Sequence, residues 1–342
     1  VGKNTASMGV IKWSRRYTTT TSNKGKKPMT ETNEKQRQMS QMVVHSSDVE
    51  LAVTSHGEPH NPTIILVHGY PDSSSVWDPV VDILKHHFHV VTYDVRGCGK
   101  STEPGWMWDY SLGKLSEDLQ AVMRAVCPTQ PVHLVAHDWG SIQTWESVTD
   151  HRLKSRIASY TSISGPCLDH IGMWMRNSFA ANNRKALGNV MGQLMHSWYV
   201  YAFQLPFLAP AAWKMGLDKA WPGIVKKMEG VEHDANPTQR KDGVNGINLY
   251  RANMLPRISN PRLRQTEVPV QLLVPTKDKF VTTALVESCY PYAHNVWRRD
   301  IDAQHWVVQS HSEWVANCVS EFVEFAETGR ENPGLAKARV QV

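Results

Sequence analysis

The stretch VHLVAHDWGS, residues 132 to 141, limits what this chain can fold into more than any other part of it. The apolar run from Val132 to His137 predicts a β-strand, and the residues from Gly140 onward predict a helix, so the chain must turn sharply between them. Ala136-His137-Asp138-Trp139-Gly140 places a small residue two positions to either side of an aspartate. In so tight a strand-to-helix turn the backbone runs close to its neighbours, and a bulky substituent on the flanking residues would clash. The central side chain of such a turn is presented as a nucleophile. A carboxylate nucleophile attacks saturated carbon by displacement and forms an ester, and it serves poorly against an amide or ester carbonyl. The substrate class narrows to compounds with an electrophilic sp³ carbon, chiefly epoxides and alkyl halides, and a serine-type esterase is excluded.

The rest of the chain supplies a setting for that turn. Short apolar runs at 63–67, 89–94, 132–137, 157–163, 270–274 and 295–301 alternate with amphipathic helical stretches, which predicts an α/β architecture around a parallel sheet. The rhythm stops between Pro166 and about Asn260. There the sequence is helical in pattern and crowded with Met and Trp, among them Met173, Trp174, Met191, Met195, Trp198, Trp213 and Trp221. Residues 168–261 are therefore expected to form a helical cap inserted into a core made of 43–167 and 262–328. Caps of this kind roof apolar pockets, although most of these Met and Trp side chains would simply pack the cap. Residues 329–342 are expected to be a C-terminal tail.

Composition narrows the partners. The 342 residues carry a formal charge of +5, but residues 1–30 hold seven basic residues and no acid. Without them the count is 30 basic against 32 acidic residues, a net of −2, so nucleic-acid binding loses its main support. Residues 1–42 are expected to be a basic, disordered tail or leader. The part from Met8 is rich in Arg, Lys and Thr and resembles an organellar transit peptide, with a solvated tail as the alternative. A cytoplasmic location is the first expectation and an organelle the second. No run of 18 apolar residues exists, so no transmembrane helix is predicted. Five cysteines, odd in number and without C-x-x-C spacing, read as free thiols rather than a disulfide framework. No His/Cys cluster has metal-ligand spacing, and neither a metal nor an organic cofactor is expected.

Partners for Asp138 lie downstream. Asp278 follows the apolar strand VQLLVPTKD, just past a strand's carboxyl end where active-site loops gather. His305 lies in DAQHW after the next predicted strand. Asp300 and Asp302 are rival acids, but they lie too near His305, in or beside its own strand, to reach the far side of its imidazole. His68-Gly69-Tyr70-Pro71 follows the first apolar strand. Gly69 would let the backbone approach a substrate, and a cis Tyr70-Pro71 peptide is admissible because X-Pro bonds lower the cis penalty. DVRGCGKST ends like a phosphate-binding loop, but Asp94 stands where that motif requires its first glycine. It reads as a second tight loop of the core.

HGYP, DVRGCGKS, HDWGS, the Asp278 loop and AQHW together resemble α/β-hydrolase-fold epoxide hydrolases and the related haloalkane dehalogenases, over roughly residues 43–328. The resemblance implies a mostly parallel central sheet with helices on both faces and an inserted helical cap. It implies Asp138 as nucleophile, His305 as general base and Asp278 as the acid that orients it. The backbone amides of Tyr70 and Trp139 become the oxyanion hole, with His68, Gly69, Pro71 and Trp139 around the substrate. HSWYVYAFQLP and NGINLYRANM resemble the two tyrosine-bearing cap segments of epoxide hydrolases, which makes Tyr199 and Tyr250 the groups that hold and protonate the epoxide oxygen. Tyr201 is the competitor for the first of these positions. SISGPCLDH and WRRDIDAQHW further resemble the hydrolase half of proteins that fuse such a domain to a short-chain dehydrogenase, whose G-x-G-x-x-G fingerprint does not occur in this sequence. The expected activity is conversion of an epoxide and water to a vicinal diol through an ester of Asp138, in the manner of a detoxification hydrolase. A haloalkane dehalogenase and a non-catalytic small-ligand-binding protein of the same fold are the alternatives. Oligomeric state and the particular epoxide are left open.

Overall fold

A computed structural model describes residues 39–341 except 182, 231 and 233–235. The basic segment and its transit-peptide-like stretch therefore lie outside the described residues. Eight strands form one sheet: β1 (Met39–Ser46), β2 (Val49–His56), β3 (Thr63–Val67), β4 (His89–Tyr93), β5 (Val132–His137), β6 (Ile157–Ile163), β7 (Val270–Pro275) and β8 (Val296–Ile301). Their order is β1-β2-β4-β3-β5-β6-β7-β8. The first two pairings are antiparallel and the remaining ones parallel.

The main helices are α1 (Asp78–Leu84), α2 (Leu112–Val126), α3 (Trp139–Val148), α4 (Leu168–Ala180), α5 (Arg184–His196), α6 (Trp198–Gln204), α7 (Leu208–Ala212), α8 (Asp218–Glu229), α9 (Gln239–Ser259), α10 (Ser312–Thr328) and α11 (Pro333–Ala338). A π-helical turn (Trp213–Leu217) joins α7 to α8.

The apolar runs are continuous because both faces of the central strands are covered. Alternate residues of one strand serve opposite cores: Ile65 and Val67 pack with Leu134 and Ala136 on the side of α2 and α3, while Ile64 and Leu66 join Val135 on the side of α1 and α10. Strand order reverses at β3, with β4 on one side and β5 on the other. Ligands of open α/β sheets bind at such a switch point, outside the carboxyl ends of the strands. The HGYP loop and Asp138 leave β3 and β5 at that point.

Two parts of the chain differ from the sequence expectation. The hairpin β1–β2 is not among the predicted strands, and β1 begins at Met39, inside the stretch expected to be tail. As an edge strand β1 buries only Val44 and Ser46, so it lacks the period-two pattern that marks a strand. Residues 329–341 are likewise no loose tail. Leu335 of α11 is fully buried, the Val340 amide donates to the Val296 carbonyl at 2.8 Å, and the Arg339 guanidinium stacks over Trp297. Leu335 is its one fully buried side chain among the described residues, with Ala338 and Val340 partly buried beside the core, too few for a periodic signal.

Candidate active site

Asp138 is the residue at which strand becomes helix, and its backbone is left-handed, with φ of 52°. A non-glycine residue holds that conformation only when its surroundings impose it. They do. An added Cβ at Gly140 would stand 2.2 Å from the Val67 carbonyl oxygen, and one at Gly165 would stand 2.1 Å from that of Asp138. The small residue after the aspartate is thus dictated by β3 running directly beside the turn.

Around this carboxylate three segments converge. From β3 the Tyr70 amide donates to Asp138 Oδ1 at 2.7 Å, and a Cβ at Gly69 would collide with that same oxygen. From beyond β8 comes His305, whose Nε2 lies 3.5 Å from Asp138 Oδ2. From beyond β7 comes Asp278, whose Oδ2 lies 2.8 Å from His305 Nδ1. The other Asp278 oxygen accepts the amides of Phe280 and Val281 at 2.8 and 3.1 Å. Asp300 and Asp302 pair instead with Arg298 and Lys277 on the surface.

The electrostatics follow from this chain of groups. Burial alone would push the His305 imidazole down, but the carboxylates of Asp278 and Asp138 flank it and raise its pKa to about 10. Asp278 is fully enclosed, which disfavours its charge, yet His305 and the donated amides hold it below the usual carboxylate value. His137, the residue before Asp138, is pushed down to about 4 by burial and by the neighbouring His305. Its Nε2 donates to the His305 carbonyl at 2.9 Å and its ring lies 4.8 Å from that of His305. The sequence places His137 in the turn but gives no sign of this contact.

Above Asp138 is a cavity of about 220 Å³ lined by Tyr70, Pro71, Trp198, Tyr199, Phe203, Trp221, Ile224, Met228, Tyr250, Phe280, His305 and Trp306. Helices α6, α8 and α9 supply its roof. Tyr199 points into it and Tyr201 is exposed on the other side of α6, as a two-residue offset on a helix requires. The Tyr250 ring packs edge-on against the Trp139 indole, centroids 4.7 Å apart, and against the Tyr199 ring at 5.9 Å. Burial raises both phenols above their ordinary values.

The residues expected around the substrate divide into two groups. Pro71 lines the cavity, but His68, Gly69 and Trp139 border a void of only about 10 Å³ behind it. His68 is occupied by its own loop, since Nδ1 donates to the Gly69 carbonyl and Nε2 accepts the Val95 amide, both at 2.9 Å. Burial holds that ring below its ordinary pKa, in its neutral form. His68 and Gly69, expected around the substrate, do not line the cavity, and His68 supports the loop that carries the Tyr70 amide. Trp139 does not line the cavity, and its ring packs against that of Tyr250 with centroids 4.7 Å apart.

The DVRGCGKS loop is also structural. Asp94 accepts the Ser74 and Lys100 amides at 3.0 and 2.8 Å, and Arg96 is held by Asp118 through bonds of 2.6 and 2.7 Å. Among the described residues no group of three or more His, Cys, Asp or Glu side chains could hold a metal, and no helix is long and apolar enough to cross a membrane. All five cysteines are free.

With sheet order, elbow and carboxylate–imidazole–carboxylate chain in place, the class is defined. A family model for the alpha/beta hydrolase fold matches residues 62–308, and the chain belongs to that family. It is 32% identical over 315 residues to "Probable oxidoreductase EphD" of Mycobacterium bovis, covering 89% of this chain and 52% of that protein. The chain thus spans about half the length of the first curated relatives it matches. It is 26% identical over 294 residues to "Epoxide hydrolase 3" of Xenopus tropicalis, covering 81% of this chain and 76% of that one. A Bacillus megaterium epoxide hydrolase crystallised with an inhibitor superposes with a TM-score of 0.69 at 20% identity, covering 83% of this chain and 100% of that one. A Vigna radiata epoxide hydrolase superposes with a TM-score of 0.65 at 20% identity, covering 84% and 98% respectively. These structural likenesses establish the fold.

Proposed function

We propose that this chain is an epoxide hydrolase working through a covalent ester of Asp138. The observation that carries the reading is the line Asp138–His305–Asp278 facing the Tyr199 and Tyr250 hydroxyls across one apolar cavity. The names of several relatives point the same way. Paired phenols in the roof suit an epoxide oxygen, which needs a proton on ring opening. A haloalkane dehalogenase instead offers donors to a departing halide, and Tyr199 and Tyr250 facing Asp138 favour the first reading.

In the resting state His305 is an imidazolium between two carboxylates. Asp138 attacks a ring carbon, the C–O bond breaks, and a phenol protonates the alkoxide, help of about 10²–10⁴-fold in rate. The imidazolium proton, passed through cavity water, restores the phenol. Esterification has by then removed the Asp138 charge that held that proton on His305. His305 is now a neutral base. It takes a proton from water, whose oxygen attacks the Asp138 carbonyl carbon, and the Tyr70 and Trp139 amides bind the oxyanion, each donor contributing roughly 3 kcal/mol. Collapse releases the diol and leaves Asp138 ionised and His305 protonated, which closes the cycle. No step requires a metal or an organic cofactor.

Single turnover in heavy-oxygen water tests the route. The first diol should carry no solvent oxygen, and label should appear in Asp138 and then in later diols. Label in the first diol rules out the ester. Styrene oxide, an aliphatic terminal epoxide and a fatty-acid epoxide, run beside an alkyl bromide, would separate the substrate classes, and halide release without diol formation would select the dehalogenase.

A further inference from the structure

Around the roof of the cavity the cap carries an unusual set of exposed apolar side chains. On α5 the buried residues are Val190 and Gln193, while Met191 and Met195 face out, the latter 74% exposed. On α6 Tyr199 and Phe203 turn inward, and Trp198 is 69% exposed although it also lines the cavity. Beyond it Leu205 is exposed, Phe207 is 81% exposed and Met215, on the π-helical turn, 86%. Apart from Trp198, neither burial nor the substrate cavity accounts for these side chains. Large apolar side chains exposed on successive segments of the cap, from α5 to the π-helical turn, mark a binding surface.

Charge says what kind. No aspartate or glutamate occurs between Asp169 and Asp218. Asp218 is itself paired with Arg240. The cations Arg184, Lys185 and Lys214, by contrast, are exposed on the same helices. A water-facing helical surface ordinarily mixes both signs. Aromatic and thioether side chains with flanking cations and no acid are the composition of a helix lying in a membrane interface.

We propose that this outer face of the cap docks on a lipid bilayer bearing anionic headgroups. Phe207 and Met215 enter the headgroup–acyl boundary while Lys214 meets lipid phosphate. Trp198 belongs to both surfaces, so the docked cavity opens toward the bilayer and an apolar substrate dissolved there reaches it without crossing water. That delivery step rests on the hydrolase reading; the docking does not.

Co-sedimentation of the full chain with vesicles tests it, using phosphatidylcholine alone and phosphatidylcholine mixed with phosphatidylglycerol. The chain should pellet with the mixed vesicles, less with the neutral ones, and salt should release it. Phe207→Ser combined with Met215→Ser should return it to the vesicle-free level, and Lys214→Glu should weaken binding several-fold. Both variants should keep the parent's turnover of dissolved styrene oxide and its circular dichroism. Three results would each overturn the proposal: no pelleting of the full chain, equal pelleting of the double variant, or a concentration-dependent dimer abolished by the double substitution in a chain that binds no vesicle. A chain that binds vesicles but opens no epoxide keeps the docking and removes the hydrolase reading.

Discussion

The Tyr70 amide donates 2.7 Å to Asp138 Oδ1, while the hydroxyl of the same residue accepts the Trp213 indole at 2.7 Å and donates to the Gly243 carbonyl at 3.1 Å. One side chain thus joins the nucleophile's hydrogen-bond donor to the roof above it. A Cβ at Gly246 would stand 2.4 Å from the Tyr70 ring, so α9 presses against it too. Trp213→Phe removes the indole donor and leaves most of the packing. A net hydrogen bond of about 1 kcal/mol should be lost, with a fall in Tm of roughly 2–4 °C. If the proposed mechanism holds, the rate of ester hydrolysis should fall more than the rate of ester formation, because that mechanism has the Tyr70 amide act on the oxyanion of the second step. Pre-steady-state kinetics separates the two, and an unchanged ratio would detach Tyr70 from that step.

Replacing His305 with Gln leaves Asp138 able to attack and nothing able to activate water. The ester should accumulate, visible as an Asp138-containing peptide heavier by the mass of the epoxide. If no epoxide of the tested set leaves an adduct, Asp138 is not the nucleophile.

The pKa of His305, about 10, depends on two carboxylates. Asp138→Asn removes one of them and should lower the imidazole pKa, as the ester does in the reaction. NMR titration of the ring would show the drop, and an unaltered value would mean that Asp138 and His305 are not coupled. The sign for stability is also set. Because the folded pKa lies above the unfolded value of about 6.5, this interaction stabilises fully below that pH and is lost as pH rises through about 10. The fall in Tm toward high pH should be shallower in Asp278→Asn, measured by thermal melts across that range.

Tyr199→Phe and Tyr250→Phe should each lower kcat about tenfold or more, the remaining phenol still donating, and the double variant should lose roughly 10²–10⁴-fold. Tyr201→Phe should leave kcat unchanged because that side chain is exposed outside the cavity. A large effect of Tyr201→Phe would reverse the assignment of α6.

Arg96 is fully buried and donates two hydrogen bonds to the Asp118 carboxylate. Asp118→Ala would leave a buried guanidinium with only the more distant carboxylates of Asp48, at 3.6 Å, and Asp109 to balance its charge. The expected cost is about 3–5 kcal/mol of stability, read by denaturant unfolding, with little change in the kinetics of whatever remains folded.

By itself the sequence determined those features whose cause is local. The parallel strands were legible because burial on both faces demands unbroken apolar runs, and the elbow because a crowded turn admits only small flanking residues. The order of Asp138, Asp278 and His305 was legible because apolar runs mark the strands before Asp138 and Asp278 and a nucleophile elbow is followed along the chain by its acid and then its histidine. What the tertiary structure decided depends on neighbours remote in the chain. It brought His305 and Asp278 to 2.8 Å, turned Tyr199 rather than Tyr201 inward, and withdrew His68 from the cavity to brace a loop. It also gave His137 a place against His305 and tied Tyr70 to Trp213 across 143 positions. Contacts at such separations leave no periodicity to read, because each partner satisfies its own local pattern and only folding chooses between the groups it could meet.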